Sequence, residues 1–379
     1  MLFEDIIGHD QIASRLRSAA RTGRVAHASL FDGPEGCGAL NLARAYARYL
    51  HCSSPTEADA CGSCDSCKAH TSLQHPDLHW CFPFFKSDKS DTATSQPFQS
   101  LWRSLLLESP HFGIEEWVEA IGADRKQLFI SVHEALEINR KLGLKAFKGG
   151  RKILICWLPE TMSVDTANKM LKLIEEPTDG TVMLFVSEHS DQLLATIRSR
   201  VQSVRIPRLE DALAIQAVEQ LTGLDASAAE ELAGVVEGNL AAAMRLASAG
   251  GAAPDHALFV EWMRACWAKK GVDFMEQSER FSKPGREGMK RFIQYALHMV
   301  RQCIVGNYGA MDAVRLTARE RDFAEKFAPF IHHGNVLEMQ QLLETAYRDI
   351  AGNVNGKLVF LDLSVKLNAL LRRTTEVPA

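Results

Sequence analysis

The sequence predicts an α/β fold with a mainly parallel sheet, followed by a small helical domain and an all-α C-terminal domain. Up to Pro207, short apolar runs typical of buried strands alternate with segments whose apolar residues recur at helical spacing. Such alternation is typical of a parallel sheet covered by helices on both faces. Beyond Pro207 the pattern is helical throughout. The predicted domains are therefore 1–207, 208–251 and 252–379.

The elements of the first domain follow from local patterns, taken in chain order. Helices are predicted over 10–23, 39–50, 132–142 and 164–174, and buried strands over 28–31, 152–158, 181–186 and 204–206. Residues from 84 to about 125 interrupt this alternation and are predicted to be an insertion. Within it, two helices are expected around Trp102 and Trp117.

Composition limits the classes of function. A chain of 379 residues is too long for one ordinary domain, and 46% hydrophobic with 24% charged residues is typical of a globular protein. The net charge of −4 argues against a strong, sequence-independent nucleic-acid binder, which would be basic. The sequence has no apolar run of transmembrane length and its acidic beginning does not resemble a signal peptide. We therefore expect a cytoplasmic protein with no membrane association.

A degenerate phosphate-binding loop organises the first domain. The working pattern is G-x-x-x-x-G-K-[ST], in which the lysine reaches the outer phosphates and the hydroxyl holds Mg²⁺. In this sequence Ala39 replaces the lysine and Leu40 replaces the hydroxyl residue. The glycines of the loop are Gly33, Gly36 and Gly38. The loop is expected to bind no nucleotide, and a glycine-rich strand-to-helix turn of other origin is the alternative at this point.

Four cysteines have the spacing of a structural zinc site: Cys52, Cys61, Cys64 and Cys67. Two C-x-x-C steps let neighbouring thiolates share one tetrahedral ion, and Cys52 closes the fourth position. A site with no open position indicates structure rather than catalysis. Free cysteines in a loop are one alternative. An iron–sulfur cluster is disfavoured because the run lacks the Cys-Pro of the bacterial ferredoxin pattern.

The order of motifs along the chain is specific as a set. It runs through Ile6-Ile7-Gly8, His27-Ala28, the loop, the four cysteines, His75-Pro76-Asp77, Ala167-Asn168-Lys169-Met170-Leu171, Glu175-Glu176-Pro177 and Thr196-Ile197-Arg198-Ser199-Arg200. This order resembles the bacterial clamp-loader subunits of DNA polymerase III. The resemblance covers most of residues 1–207, and the helical remainder is similar in architecture only. It implies an AAA+ ATPase module, a helical lid, and a collar that holds five subunits in a ring.

The resemblance also implies that this chain is not an ATPase. In active relatives a second motif places acidic residues after the strand that corresponds here to residues 152–156, but Trp157 and Leu158 occupy those positions. The lid of an active relative carries an arginine in a G-x-x-R pattern, and Ala241 stands in its place. Phosphoryl transfer depends on positive charge and metal around the phosphates. With Ala39, three separate parts of that machinery are lost.

One charged motif of the family remains. A Ser-Arg-Cys motif in these proteins projects its arginine as a finger toward the nucleotide on the neighbouring subunit. The match is Ser199-Arg200-Val201, with valine replacing cysteine. An arginine finger in trans contributes on the order of 10³–10⁵ in rate in nucleotide hydrolases. The alternative is that Arg200 is an ordinary surface arginine.

The resemblance therefore predicts a non-catalytic clamp-loader subunit of the replisome. Its expected partners are gamma/tau and delta subunits in a hetero-pentamer, and through that complex a sliding clamp and primer-template DNA. Its expected cofactor is structural zinc. Two alternatives are an active gamma/tau-like ATPase subunit and a zinc-dependent nucleic-acid-binding module. Ala39 disfavours the first, and the acidic charge balance disfavours the second.

Overall fold

The computed structural model describes residues 1–86, 93–123, 126–147, 150–248, 254–268, 271–309 and 314–373. The chain divides into two compact units, Met1–Leu221 with Val236–Met244 and Thr222–Val235 with Arg245–Ala379. The predicted three-domain boundaries stay a prediction, and the boundary at 251 lies outside the described residues.

A five-stranded parallel sheet forms the centre of the first unit. Its strands are β1 (Ala28–Asp32), β2 (Leu78–Cys81), β3 (Lys152–Trp157), β4 (Thr181–Ser187) and β5 (Gln202–Arg205). Their order is β2-β3-β4-β1-β5, and every neighbouring pair is parallel. β3 and β4 are buried along their whole length because helices cover both faces. The predicted α/β fold with a mainly parallel sheet is confirmed.

Helices flank this sheet. They are α1 (Asp10–Arg21), α2 (Ala39–His51), α3 (Asp65–Thr71), α4 (Gln99–Glu108), α5 (Ile114–Ala120), α6 (Val132–Gly143), α7 (Val164–Glu175), α8 (Ala195–Arg198) and α9 (Asp211–Thr222). Serine side chains begin two of them: Ser131 Oγ accepts from Glu134 N–H at 3.0 Å, and Ser163 Oγ accepts from Thr166 N–H at 3.2 Å. These caps satisfy N–H groups that have no partner inside the helix.

The predicted insertion contains the two helices α4 and α5, joined to the rest of the domain by loops. Trp102 and Trp117 are buried within it, with ring centroids 5.2 Å apart. The indole N–H of Trp117 donates to the carbonyl of Pro83 at 2.7 Å, which fixes the pair against the chain that follows β2. Residues 87–92 and 124–125 of the insertion lie outside the described residues.

The remaining helices are α10 (Ala226–Val236), α11 (Leu240–Ser248), α12 (Pro254–Ala268), α13 (Gly271–Ser282), α14 (Gly285–Tyr308), α15 (Ala318–Phe327), α16 (Val336–Ala351) and α17 (Gly356–Leu371). In the second unit the buried Trp262 donates its indole N–H to Ser364 Oγ at 2.8 Å, which links α12 to α17. The predicted all-α C-terminal region is confirmed. Among the described helices, none combines the length and the apolar character that crossing a membrane requires.

Candidate functional site

The degenerate loop joins the end of β1 to the start of α2, as the sequence predicts. Gly36 has φ 72° and Gly38 has φ 89°, so both adopt a left-handed conformation that glycine accepts without strain. Gly38 is also the residue before the first turn of α2. Gly33 N–H donates to the carbonyl of Ser187 at 3.2 Å and ties the loop to the end of β4. The backbone thus keeps the path of a phosphate-binding loop.

The side chains at the phosphate positions have no charge. Ala39 is 6% exposed and carries no group that reaches a phosphate. Cys37 is buried beneath the loop, and burial raises the pKa of its thiol to about 12. Its carbonyl lies 2.8 Å from Nε2 of His9. The loop therefore offers backbone N–H groups and the N-terminus of α2, without the cation that a nucleotide site needs.

Residues of the insertion occupy the space in front of the loop. The cavity that remains there measures about 40 Å³, far below the roughly 300 Å³ at which small-molecule sites begin. Its lining includes the turn between α4 and α5, which we call the 110–112 turn. That lining is Gly33, Pro34, Gly36, Cys37, Gly38, Ala39, Leu40, Asn41, Pro110, His111, Phe112, Trp157, Val186 and Glu188. The cavity has room for about one water molecule, and none for a nucleotide.

Aromatic contacts hold the turn in this position. The ring of Phe112 lies 5.3 Å from the ring of Trp157, edge to face, and Trp102 lies 5.1 Å from the same indole. Both geometries are favourable for aromatic pairs. Trp157 is the last residue of β3, at a position where the resemblance implies an acidic residue in active relatives, and here its indole anchors the turn.

His111 lines the same cavity and contacts a polar residue of α2. Its Nδ1 lies 3.4 Å from the amide nitrogen of Asn41, on the first turn of α2. Burial, and then the nearby guanidinium of Arg44, lower the pKa of His111 to about 4. Arg44 is itself 7% exposed and donates to Asn41 Oδ1 at 3.0 Å. His111 is therefore neutral at pH 7, and its Nδ1 accepts the amide hydrogen of Asn41.

The lid helix approaches the loop from another side. Leu240 N–H donates to the carbonyl of Gly36 at 3.1 Å, and the side chain of Asn239 lies where a Cβ on Gly36 would project. Ala241, at the position of the arginine in active relatives, is 1% exposed. The lid segment thus contacts the loop directly through backbone and amide groups, and presents no charge to it.

Glu160, three residues beyond the end of β3, is the nearest acidic residue after that strand, and it has a structural role. Its Oε1 accepts backbone hydrogens from Glu188 at 2.9 Å and from His189 at 3.0 Å. These bonds fix the segment that follows β4. Glu160 is absent from the lining of the cavity in front of the loop, and so does not replace the missing acidic residues.

The four predicted metal ligands converge. The sulfur atoms of Cys52, Cys61, Cys64 and Cys67 all lie within 4.8 Å of one another. The sulfurs of Cys61 and Cys67 are 4.0 Å apart, close to the roughly 3.8 Å that tetrahedral Zn–S bonds of 2.3 Å require. Two C-x-x-C steps each bring a backbone N–H to a sulfur: Cys64 N to Cys61 Sγ, and Cys67 N to Cys64 Sγ, both at 3.4 Å. This donor set fits a metal ion.

Charged and neutral groups surround the cysteines. Arg48 is 5% exposed, interacts with the sulfur of Cys67, and donates to the carbonyl of Gly62 at 3.3 Å. Four thiolates and one divalent ion carry a net charge of −2, which this guanidinium offsets in part. Next to the four-cysteine site, His51 Nδ1 lies 2.8 Å from His70 Nε2, and His51 Nε2 lies 2.8 Å from the carbonyl of Arg151. Both ring nitrogens of His51 therefore have partners within the protein.

Arg200, the predicted finger, lies at the surface between α8 and β5. Its Nε donates to Glu175 Oε1 at 2.6 Å, and its Nη1 donates to the carbonyl of Thr196 at 3.1 Å. Its side chain is 42% exposed. Ser199 accepts a hydrogen from Arg200 Nη1 at 3.3 Å and so helps to orient it. The structure therefore brings the family's Ser-Arg pair to an accessible surface, and not to the chain's own loop.

Sequence reasoning missed the 110–112 turn. It assigned the insertion no role, whereas the structure places Pro110, His111 and Phe112 against the loop. The sequence offers one signal, a phenylalanine two residues after a proline, between two predicted helices. That signal does not say what the aromatic packs against.

Comparison with known proteins gives consistent matches. Residues 8–210 match the family model described as "DNA polymerase III, delta subunit". A DNA polymerase III subunit delta' of Pseudomonas aeruginosa is 30% identical over 227 residues, which are 59% of this chain and 57% of that protein. The delta' subunit of Bacillus subtilis is 28% identical over 200 residues, 53% of this chain and 48% of that protein. A gamma/tau subunit of Mycobacterium tuberculosis is 27% identical over 202 residues, 52% of this chain and 27% of that protein. The matched region thus spans about half the length of the delta' relatives.

Proposed function

This chain belongs to the family of DNA polymerase III delta subunits, and from that premise we propose that it is a non-catalytic, delta-prime-type subunit of a bacterial clamp loader. Its role is to support the ATP-dependent loading of a sliding clamp onto primer-template DNA without hydrolysing ATP itself. The partners follow from the same premise: gamma/tau and delta subunits in a hetero-pentamer, acting in the cytoplasm at the replisome.

The single observation that carries the absence of ATPase activity is the occupied space before the loop. The 110–112 turn and Trp157 leave a cavity of about 40 Å³. Changes at Ala39 and Leu40 remove charge and hydroxyl, but these changes alone would leave an empty cleft. Because aromatic side chains also fill the cleft, both the chemistry and the volume for a nucleotide are missing.

The exposed Arg200 supports a contribution to another subunit's site. A finger must reach beyond its own chain, and a guanidinium that is 42% exposed at a loop end has that freedom. Glu175 holds it at 2.6 Å, in an ion pair of a kind that contributes at most about 1 kcal/mol at a surface. A γ-phosphate with its larger charge would compete with one carboxylate. We therefore assign Arg200, oriented by Ser199, as an arginine finger in trans.

We also propose that the four cysteines form a structural zinc site. Cys52, Cys61, Cys64 and Cys67 would hold the ion, and the ion would supply folding energy to a loop that precedes α3. A closed set of four thiolates leaves no position for substrate. The zinc therefore has no part in catalysis.

Two measurements test the proposal. The purified chain is expected to show no binding of Mg-ATP by calorimetry and no hydrolysis, whereas hydrolysis that survives further purification would overturn the non-catalytic role. In a complex reconstituted with gamma/tau and delta subunits, Arg200→Ala should lower the ATPase rate by on the order of 10³ per affected site and leave assembly intact. Arg198→Ala, two residues away, is the matched control. Equal ATPase rates for the two variants would contradict the assignment of Arg200 as an arginine finger.

A further inference from the structure

A second cavity shares no lining residue with the cavity in front of the degenerate loop. It measures about 270 Å³ and lies along β2, the strand at one end of the sheet order. Successive residues of β2, His79 and Trp80, both line it, so it follows the strand's outer edge. Its lining is Leu73, Leu78, His79, Trp80, Gln99, Ser100, Trp102, Arg103, Leu106 and Lys141.

The charge of this cavity is positive. Arg103 on α4 and Lys141 on α6 both line it, and no aspartate or glutamate does. Glu137, one turn before Lys141 on α6, interacts electrostatically with that lysine, but it pairs with Arg140 at 3.0 Å and does not line the cavity. Burial and then the charge of Lys141 lower the pKa of His79 to about 4, so this imidazole is neutral at pH 7. Two cations in a lining that holds no carboxylate favour an anionic ligand.

The cavity also has an aromatic side. Trp102 is 1% exposed and forms part of the wall behind the cavity. The indoles of Trp80 and Trp102 lie edge to face, 5.8 Å between centroids, and Trp80 is partly exposed to the cavity. Aromatic surfaces of this kind stack on planar rings.

From these observations we propose that the cavity beside β2 binds a single nucleotide, with its phosphate between Arg103 and Lys141 and its base against the indole ring of Trp80. The volume of about 270 Å³ is close to the lower bound of small-molecule sites, roughly 300 Å³, and so limits the ligand to one nucleotide unit. That unit has two sources, a free nucleoside monophosphate or one residue of single-stranded DNA. The proposal is independent of the arginine finger and of the missing ATPase activity, because no residue of the degenerate loop lines this cavity.

The test follows the indole N–H of Trp102 by NMR in the full-length, zinc-loaded, ¹⁵N-labelled chain. The chain has six tryptophans, so Trp102→Phe assigns the signal. AMP and a short single-stranded DNA are titrated separately, with inorganic phosphate and adenosine as reference ligands. A shift with AMP supports a free-nucleotide site, and a shift with the oligonucleotide alone supports a nucleic-acid site.

Surface variants make the result specific and do not depend on the fold of Trp102→Phe. Arg103→Gln and Lys141→Gln should each weaken binding about tenfold or more, because each removes a charge-assisted hydrogen bond. Arg140→Gln is the matched control, since Arg140 neighbours Lys141 on α6 but pairs with Glu137 at 3.0 Å and does not line the cavity. No shift with either nucleotide source, equal binding of inorganic phosphate and AMP, or equal affinities for all three variants would each overturn the proposal.

Discussion

Arg200 Nε donates a 2.6 Å hydrogen bond to Glu175 Oε1, so that the predicted finger is paired with the last residue of α7. Glu175 is 47% exposed, and the pair lies in solvent. An exposed pair of this kind holds the guanidinium in one orientation at small energetic cost. The proposed finger can reach a phosphate on another subunit only after this pair opens.

This arrangement predicts that Glu175→Gln preserves or increases the contribution of Arg200. The substitution removes the competing charge and should change the free energy of unfolding by less than about 1 kcal/mol. The measurement is the ATPase rate of the reconstituted complex, compared with wild type and with Glu176→Gln as a neighbouring control. A rate as low as that of Arg200→Ala would show that Glu175 positions the finger instead of competing for it.

Restoring the lost loop residues alone should not restore nucleotide binding. In Ala39→Lys with Leu40→Thr, the chemical groups are present but the 110–112 turn still fills the cleft, so calorimetry with Mg-ATP should show no binding. Adding His111→Gly and Phe112→Gly to that pair should open the space and give measurable binding. Binding by the first pair alone would show that the turn yields to nucleotide. Circular dichroism is needed alongside, because truncating a buried phenylalanine costs about 3 kcal/mol or more.

The four-cysteine site predicts one zinc ion per chain. Cys64→Ser should abolish the bound zinc measured by mass spectrometry and destabilise the region around α3, since such a site contributes on the order of 10 kcal/mol. Cys303→Ala, at a buried cysteine of the second unit, should keep the full zinc content. Full zinc content in Cys64→Ser would contradict the four-cysteine assignment.

Acid should weaken the packing of the 110–112 turn. The pKa of His111 is about 4 in the folded chain, against an ordinary 6.5. Between these values the unfolded chain binds more protons, so the stability that His111 contributes is complete above about pH 6.5 and falls as the pH falls toward 4. The slope is at most about 1.4 kcal/mol per pH unit for one group.

Urea unfolding of wild type and His111→Gln at about pH 7.5 and about pH 5.5 measures this contribution. The variant should lose less stability than wild type between the two conditions. His189→Gln, at an exposed position, should behave like wild type. Identical pH dependence in wild type and His111→Gln would show that His111 is not held neutral by its surroundings.

Local patterns were enough to predict most of the first unit. The strands around Leu30 and Leu184 and the helix after Gly38 follow from spacing over a few residues, and the structure confirms them. The spacing of the four cysteines likewise indicated a shared site, and the structure brings their sulfur atoms together. β2 was not predicted. It has four residues, of which only Leu78 and Cys81 are buried, because it lies at the end of the sheet. An edge strand of this length has too little apolar character to be recognised alone.

The site was only partly predictable, for a physical reason. The absence of Lys and hydroxyl at Ala39 and Leu40 can be read directly, since it depends on residue identity. The filling of the cleft depends on contacts between distant residues, Phe112 with Trp157 and His111 with Asn41, which are 45 and 70 positions apart, and no periodicity encodes them. The same holds for the pairing of Arg200 with Glu175, which are 25 positions apart.

The 110–112 turn has a consequence for how the protein responds to the energy state of the cell. A nucleotide occupies its site in proportion to its concentration, and binding stabilises the folded chain accordingly. Phe112 belongs to the same chain as the loop it faces, so its presence in the cleft does not depend on the concentration of a dissolved ligand. Under the proposed non-catalytic role, the conformation of this loop would not follow the ratio of ATP to ADP. In the proposed complex, this chain would then supply a surface of constant shape.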